Sequence, residues 1–153
     1  MGQPFQTTRR VEFHQTDAAG IMHFAQFYLW MEQAEHELLR SVGLSVVHDA
    51  VGHSVSWPRV ACSCQYFRPV RFEDVVDVAV SVERMTTKSV TYITAFQLRG
   101  HDIARGEMTA VCCEVRSGHL TAIPIPDTYR RLLWQFQAHG EANPSSSADP
   151  DPT

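Results

Sequence analysis

Residues 17–25 read DAAGIMHFA and join two segments of different periodicity. Before them, residues 9–14 alternate apolar and polar side chains, which is the pattern of a half-buried β-strand. After them, residues 25–42 carry apolar side chains at helical spacing. The stretch therefore predicts a tight, glycine-containing turn between a strand and the start of a long helix.

The predicted helix, residues 25–42, is strongly amphipathic. The apolar side chains on one face are Phe27, Trp30, Met31, Ala34, Leu38 and Val42. The opposite face is mostly occupied by Glu32, Gln33, Glu35, Glu37 and Arg40. Gly43 fits the helix end, because glycine readily adopts the backbone conformation found there. The apolar face, including Trp30, is expected to pack in the core.

The remainder of the chain is rich in predicted strands. We expect them at residues 60–67, 74–84, 89–99 and 103–116, with turns at 85–88 and 100–102. A short helix follows at 127–137, with Asp127 as its N-cap. Strands joined by tight turns form an antiparallel sheet, and the long helix must bury its apolar face against it. The predicted fold class is α+β, with a five- or six-stranded sheet covered by one long helix.

Composition places the chain among globular proteins. It has 153 residues, 44% of them hydrophobic, and a formal net charge of −4, which gives no footprint for nucleic acid. No apolar run approaches the roughly 18 residues of a membrane span, and the N-terminus lacks the apolar part of a signal peptide. We expect a cytoplasmic protein without a membrane partner.

One domain is expected over residues 1–138, followed by a disordered tail over 139–153.

The cysteines and histidines do not predict a metal site. The four cysteines are Cys62, Cys64, Cys112 and Cys113. Their spacings do not match common zinc motifs, and they lie in apolar, strand-like runs, so we interpret them as buried free thiols in a reducing compartment. A metal site of His14, Asp17 and His23 would follow no known ligand spacing. We therefore expect no metal.

Asp17 is the candidate reactive group. Its carboxylate precedes a predicted helix whose first N–H groups lack intrahelical acceptors and lie at the positive end of the helix dipole. Such N–H groups can hold an oxyanion while a carboxylate acts as base or nucleophile, which suits acyl transfer. Alternatively, Asp17 only caps the turn. Gly20 serves the turn under either interpretation.

Four segments resemble, in order, the signature of hotdog-fold acyl-CoA thioesterases of the 4-hydroxybenzoyl-CoA thioesterase-like family. The first is TDAAGIMHFAQF at residues 16–27, and the second is YFRPVRFED at 66–74. The third is RMTTKS at 84–89, followed by an aromatic-bearing strand, and the fourth is IPD at 125–127. Each match is short, but their order and spacing over residues 8–136 are similar to those of the family.

The resemblance implies an antiparallel sheet wrapped around a central helix, in a homodimer or homotetramer with active sites between subunits. It implies hydrolysis of an acyl-CoA thioester to the free acid and CoA, with no cofactor beyond the CoA of the substrate. Asp17 falls on the catalytic carboxylate, as nucleophile or general base. Backbone N–H groups near His23 and Phe24 would polarise the thioester carbonyl, while Gly20 lets the turn approach closely. A similar run in hotdog enzymes for 1,4-dihydroxy-2-naphthoyl-CoA favours an aromatic acyl group.

Five positions retain two interpretations each. His23 takes part in the chemistry or only makes a backbone hydrogen bond, and Gln26 orients the acyl group or only occupies the first helical turn. Trp57 lines the acyl pocket or packs in the core. Lys88 and Arg84 lie in a turn where family members contact CoA phosphates, although cations are also common in solvated loops.

Two other functions remain open from the sequence. A hotdog hydratase or dehydratase acting on acyl thioesters would pair a histidine with a carboxylate, as Asp17 and His23 do in part, although their spacing differs from those motifs. A non-catalytic acyl-CoA-binding module would bind the ester without turnover, and it would usually be joined to an output domain. The thioesterase remains the favoured prediction.

Overall fold

The computed structural model describes residues 2–50 and 53–138, so the predicted tail, residues 139–153, lies outside the described residues. A short 3₁₀ turn, Phe13–Gln15, follows the first strand. The strands and helices of the described residues, in chain order, are β1 (Phe5–Arg10), α1 (Gln26–Ser41), β2 (His48–Ala50), β3 (His53–Ser56), β4 (Arg59–Tyr66), β5 (Val75–Met85), β6 (Ser89–Leu98), β7 (His101–Val111), β8 (Cys113–Arg116), β9 (His119–Ala122) and α2 (Asp127–Trp134).

The main sheet has five antiparallel strands in the order β1-β5-β6-β7-β4. Tight turns join β5, β6 and β7, and these strands pair along most of their length. β4 pairs with β7 alone and therefore lies at an edge of the sheet. The predicted strands at 60–67, 74–84 and 89–99 are confirmed to within one residue at each end. The α+β class is also confirmed.

Helix α1 fills the concave side of this sheet and contacts β1, β5 and β7. Its buried apolar side chains are Phe27, Trp30, Met31, Ala34, Leu38 and Leu39. Gly106 of β7 permits the close approach, because a Cβ at that position would collide with the thioether of Met31. The predicted helix and the core position of Trp30 are confirmed.

One charged side chain assigned to the polar face of α1 points into the core. Glu35 is only 1% exposed, and Arg59 at the start of β4 donates from Nη1 to its Oε1 at 2.9 Å. The Arg59 Nη2 lies 2.5 Å from Oε2, as an ion pair without hydrogen-bond alignment. Because Glu35 is four positions from Met31, it lies on the same face of the helix. The partner that permits its burial comes from a distant strand.

A second antiparallel sheet, in the order β2-β3-β8-β9, contains strands that the sequence analysis did not anticipate. The predicted strand 103–116 is interrupted at Cys112, whose N–H donates to the Lys88 carbonyl at 2.7 Å. β8 and β9 then form a hairpin around Ser117 and Gly118, which both have positive φ angles. A Ser-Gly pair is typical of a hairpin turn. The strand predicted at 103–116 was too long, because the prediction relied on the strand-like pattern alone and joined β7 to β8.

The predicted bounds of the first strand and of the last helix are wrong, since the strand begins at Phe5 and the helix ends at Trp134. The strand predicted at 9–14 ends at Arg10, because the chain enters the 3₁₀ turn, where the Glu12 N–H donates to the Gln15 side chain at 2.8 Å. Phe13 is consequently 74% exposed. The N-cap of α2 is Pro126, and Asp127 is the first helical residue, without a capping hydrogen bond. Its charge still lies favourably at the helix start.

The four cysteines are free, but the prediction that all are buried is wrong. Cys112 and Cys113 are buried, whereas Cys62 is exposed and Cys64 is half-buried on β4, the edge strand of the main sheet among the described residues. Among the described residues, no helix is long and apolar enough to cross a membrane. The same residues contain no group of three or more His, Cys, Asp or Glu side chains placed to hold a metal ion.

Candidate active site

The turn that carries Asp17 is held by its own backbone. The Asp17 N–H donates to the Ile21 carbonyl at 2.9 Å, and the Gly20 N–H donates back to the Asp17 carbonyl at 3.0 Å. Gly20 has a φ of 76°, a conformation that glycine adopts without strain. The Asp17 Oδ1 accepts the Ala19 N–H at 2.8 Å. The carboxylate is exposed and fixed in direction, and its other oxygen remains available to a ligand.

Three of the four N–H groups of residues 23–26, just before and at the start of α1, have acceptors. The His23 N–H donates to the Gln15 carbonyl at 2.8 Å, and the Gln26 N–H donates to the His23 carbonyl at 3.0 Å. The Ala25 N–H donates to the His23 Nδ1 at 3.1 Å. The Phe24 N–H has no acceptor among the described residues. A free donor at the positive end of a helix can stabilise an oxyanion.

Asp17 and Phe24 line the same cavity, of about 500 Å³. The other lining residues are Ile21, Met22, Phe27, Tyr66, Phe67, Arg68, Pro69 and Val70. Met22, Phe27 and Val70 are buried and form an apolar floor, and the Met22 N–H joins the two walls by donating to the Val70 carbonyl at 2.8 Å. Phe24 and Tyr66 are exposed at the rim. A mostly apolar cavity with one carboxylate suits an aromatic or aliphatic acyl group.

Residues 66–70 form one wall of the cavity, a position that was not predicted from the sequence. The N–H groups of Phe67 and Arg68 both donate to the Ile103 carbonyl, at 2.8 and 3.2 Å, which fixes this wall to β7. The Tyr66 hydroxyl donates to the Phe24 carbonyl at 3.1 Å, and partial desolvation raises the pKa of Tyr66, so the proton stays on at neutral pH. The sequence signal that could have indicated this wall is the pair of aromatic residues close to a proline at the end of a predicted strand.

His23 and Gln26 lie beside the cavity but are not among its lining residues. The His23 ring stacks on the Phe24 ring, with 4.5 Å between their centroids. Its Nδ1 accepts the Ala25 N–H at 3.1 Å. Gln26 is the first residue of α1 and is half-buried. The structure thus gives His23 the capping role that was one of its two interpretations.

Trp57 lies away from this cavity. It is 8% exposed and packs against Tyr129 of α2, with ring centroids 5.5 Å apart. Its Nε1 is buried and has no hydrogen-bond partner among the described residues. This placement agrees with the core alternative for Trp57 and gives it no contact with Asp17 in one chain.

Arg84 and Lys88 lie at the other end of the main sheet from Asp17. Both are exposed, Arg84 near the end of β5 and Lys88 in the turn before β6. β6 begins beside the end of β7, where Arg59 starts β4, whereas the cavity adjoins Tyr66 at the end of β4. Eight residues of strand separate these ends, or roughly 25 Å. One chain therefore does not bring the two predicted parts of the site together.

Comparisons with known proteins agree with this geometry. The family model of the thioesterase-like superfamily matches residues 11–133. A 1,4-dihydroxy-2-naphthoyl-CoA hydrolase of Synechococcus sp. (strain CC9311) is 30% identical over 128 residues, or 79% of this chain and 84% of the relative. The solved structure of a gentisyl-coenzyme A thioesterase is 29% identical, with a TM-score of 0.73 over 84% of this chain and 98% of the other. The crystal structure of a 1,4-dihydroxy-2-naphthoyl-CoA thioesterase from Synechocystis, 22% identical, has a TM-score of 0.76 over 86% and 96% of the two chains.

A five-stranded antiparallel sheet with one long helix packed against it is the architecture of the hotdog-fold thioesterases. The match spans most of the chain, from the end of β1 into α2. The chain belongs to the thioesterase-like superfamily. The resemblance drawn from the sequence segments is thereby confirmed.

Proposed function

We propose that this protein hydrolyses acyl-CoA thioesters to the free acid and CoA. The observation that carries the proposal is that Asp17 and Phe24 line one mostly apolar cavity, and that the Phe24 N–H has no acceptor among the described residues. The Phe24 N–H would donate to the thioester oxygen, which gains negative charge as the carbonyl carbon is attacked. The helix dipole adds to this stabilisation.

Two routes lead to the same products. In one, Asp17 removes a proton from water, the hydroxide adds to the carbonyl carbon, and the carbon–sulfur bond breaks as the thiolate takes up the proton. In the other, an Asp17 oxygen attacks the carbon, the thiolate leaves, and water then cleaves the resulting anhydride. Water is the only co-reactant in both. The fixed direction of the carboxylate suits either route.

The acyl group is proposed to be aromatic. Phe27 in the cavity floor meets Tyr66 and Phe96 edge to face, with centroids 5.3 and 5.2 Å away. Aromatic rings pack favourably in such surroundings. Relatives of this chain carry names that specify dihydroxynaphthoyl and gentisyl thioesters. A bulky aryl thioester is therefore the substrate class that best fits the cavity.

Thiol release from a panel of CoA esters tests this function. The panel contains acetyl, hexanoyl, palmitoyl, benzoyl, phenylacetyl, gentisyl and dihydroxynaphthoyl esters. We expect kcat/KM for the aryl esters to exceed that for the aliphatic esters by at least about tenfold. Hydration of an enoyl-CoA without thiol release would instead indicate a hydratase, and tight ester binding without any turnover would indicate a binding module.

We also propose that the working enzyme contains a pair of chains joined through β4. This edge strand offers unpaired backbone groups, and Val60 on it is 63% exposed. Pairing of two β4 strands about a two-fold axis is antiparallel. The Arg59 end of one β4 then lies beside the Tyr66 end of the other. Lys88 of one chain would thereby approach the cavity that contains Asp17 of the other chain.

Mixed oligomers test the shared site. Asp17→Asn and Lys88→Ala chains, co-expressed in equal amounts and assayed at low substrate, should give about one quarter of wild-type activity, because half of the pairs are mixed and each holds one complete site. Each variant alone serves as its own control. Activity equal to the mean of the two parent variants would show that one chain supplies both residues.

A further inference from the structure

Arg130 of α2 holds the turn that carries Lys88. Its Nη2 donates to the Thr86 carbonyl at 2.7 Å and to the Thr87 carbonyl at 3.2 Å. The Thr87 carbonyl also accepts the Ile125 N–H at 2.8 Å. In the part of the chain that the structure describes, the Thr86 carbonyl has no other donor. A helix distant in sequence thus fixes the direction of two consecutive peptide groups.

The turn also has hydrogen bonds that do not involve Arg130, among them the Thr86 N–H donating to the Ser89 carbonyl at 2.9 Å. The Thr86 Oγ1 accepts the N–H groups of Lys88 and Ser89, at 3.3 and 3.0 Å, and the Lys88 carbonyl accepts the Cys112 N–H at 2.7 Å. These bonds close the turn and attach it to the start of the second sheet. They leave the Thr86 carbonyl, among the described residues, with Arg130 as its one donor. The Lys88 side chain itself has no partner among the described residues.

Arg130 also adds charge where an anion would bind. It is half-buried, and its guanidinium lies next to the turn that carries the exposed Lys88, which follows Arg84 by four positions. A guanidinium stays protonated at any physiological pH and can donate to two carbonyls at once. Among the described residues, its hydrogen bonds go to carbonyl oxygens and it has no ion pair with an acidic side chain. Its positive charge is therefore not cancelled by a carboxylate ion pair.

We propose that Arg130 is a positioning residue for the phosphate-bearing end of the substrate. It holds the turn 86–89 so that the Lys88 ammonium group faces a CoA phosphate, without itself contacting the reacting thioester. The inference rests on the proposed function, because it takes a CoA ester as the ligand. It assigns to α2, which lies outside the Asp17 cavity, a part in substrate affinity.

Truncated substrates separate this role from a general structural one. Benzoyl-CoA and benzoyl-pantetheine carry the same reacting group, but only the former has phosphates. For Arg130→Met we expect KM for benzoyl-CoA to rise about tenfold, with kcat unchanged, and both constants for benzoyl-pantetheine to stay at the wild-type values. Arg131→Met is the matched control, because Arg131 is the exposed next residue of α2. Arg130→Lys keeps the charge but replaces the planar guanidinium by an ammonium group, and it should give an intermediate KM.

Calorimetric binding of desulfo-CoA gives a second readout that needs no turnover. We expect its Kd to rise about tenfold in Arg130→Met and not in Arg131→Met. Equal losses with both benzoyl substrates, or an unchanged Kd, would overturn the role of Arg130. Wild-type protein that binds desulfo-CoA without hydrolysing any ester would refute the proposed function and still decide the role of Arg130. Wild-type protein that does not bind desulfo-CoA would refute both.

Discussion

Replacement of Asp17 by Asn is expected to lower kcat for the preferred acyl-CoA by on the order of 10³-fold. Asn keeps the size of the side chain, and its amide oxygen can still accept the Ala19 N–H that the Asp17 carboxylate accepts at 2.8 Å. It cannot take a proton from water or form an acyl anhydride. Because Asp17 is exposed on a turn closed by backbone bonds, the fold should be unchanged.

The measurement is steady-state thiol release, combined with binding of the uncleaved ester to the variant. KM or Kd should change little, because the lost interaction belongs to the transition state. Asp77→Asn is a suitable control, since Asp77 is an exposed carboxylate on β5 outside the cavity. Turnover of Asp17→Asn close to that of wild type would place the chemistry elsewhere and leave Asp17 as a turn residue.

The elements predicted best are those whose signal is local. Helix α1 follows from a helical periodicity, and the strands β4, β5 and β6 follow from strand-like runs of eight or more residues bounded by turn residues. The turn at Gly20 follows in the same way, because its positive φ restricts the residue type. For these segments the tertiary structure and the local preference agree. Their ends therefore fall within a residue of the prediction.

Only one of the two walls of the cavity could be predicted from the sequence. The wall from Asp17 to Phe27 is continuous in sequence, and its chemistry was apparent from a carboxylate before a helix. The wall from Tyr66 to Val70 reaches the same cavity only because its backbone is bonded to Ile103 of β7. Such a contact joins residues about 40 positions apart, and no local pattern encodes it. The dependence of the Lys88 turn on Arg130 escaped prediction for the same reason.

Glu35 shows where an amphipathic pattern misleads. Its charge suggested the solvent face of α1, whereas its position four residues after Met31 places it in the core. Burial raises the pKa of Glu35 from 4.5 to about 7, although the ion pair with Arg59 acts in the opposite direction and Glu32 adds a small increase. The pairing with Arg59 lowers the cost of burial without removing it. This residue should therefore make stability depend on pH.

The free energy of unfolding of wild type is expected to fall as pH rises, and the Glu35→Gln variant is expected to lack the part of this fall that Glu35 causes. Below the unfolded-state pKa, Glu35 is protonated in both states and imposes no penalty. Between that pH and about 7, unfolding releases its proton, so the free energy of unfolding falls as pH rises and then levels off. The shift corresponds to on the order of 3 kcal/mol. Gln has no proton to lose, and its oxygen can still accept the bond from Arg59.

Urea unfolding at about pH 5 and about pH 8, at one fixed protein concentration, measures the effect. The difference between the two pH values should be smaller in Glu35→Gln than in wild type by on the order of 3 kcal/mol. Glu83→Gln is the control, because Glu83 is exposed on β5 and should leave the wild-type difference unchanged. Identical pH dependence in Glu35→Gln and wild type would mean that Arg59 keeps Glu35 ionised throughout this range, so that the attraction between the two charges outweighs the cost of burying them.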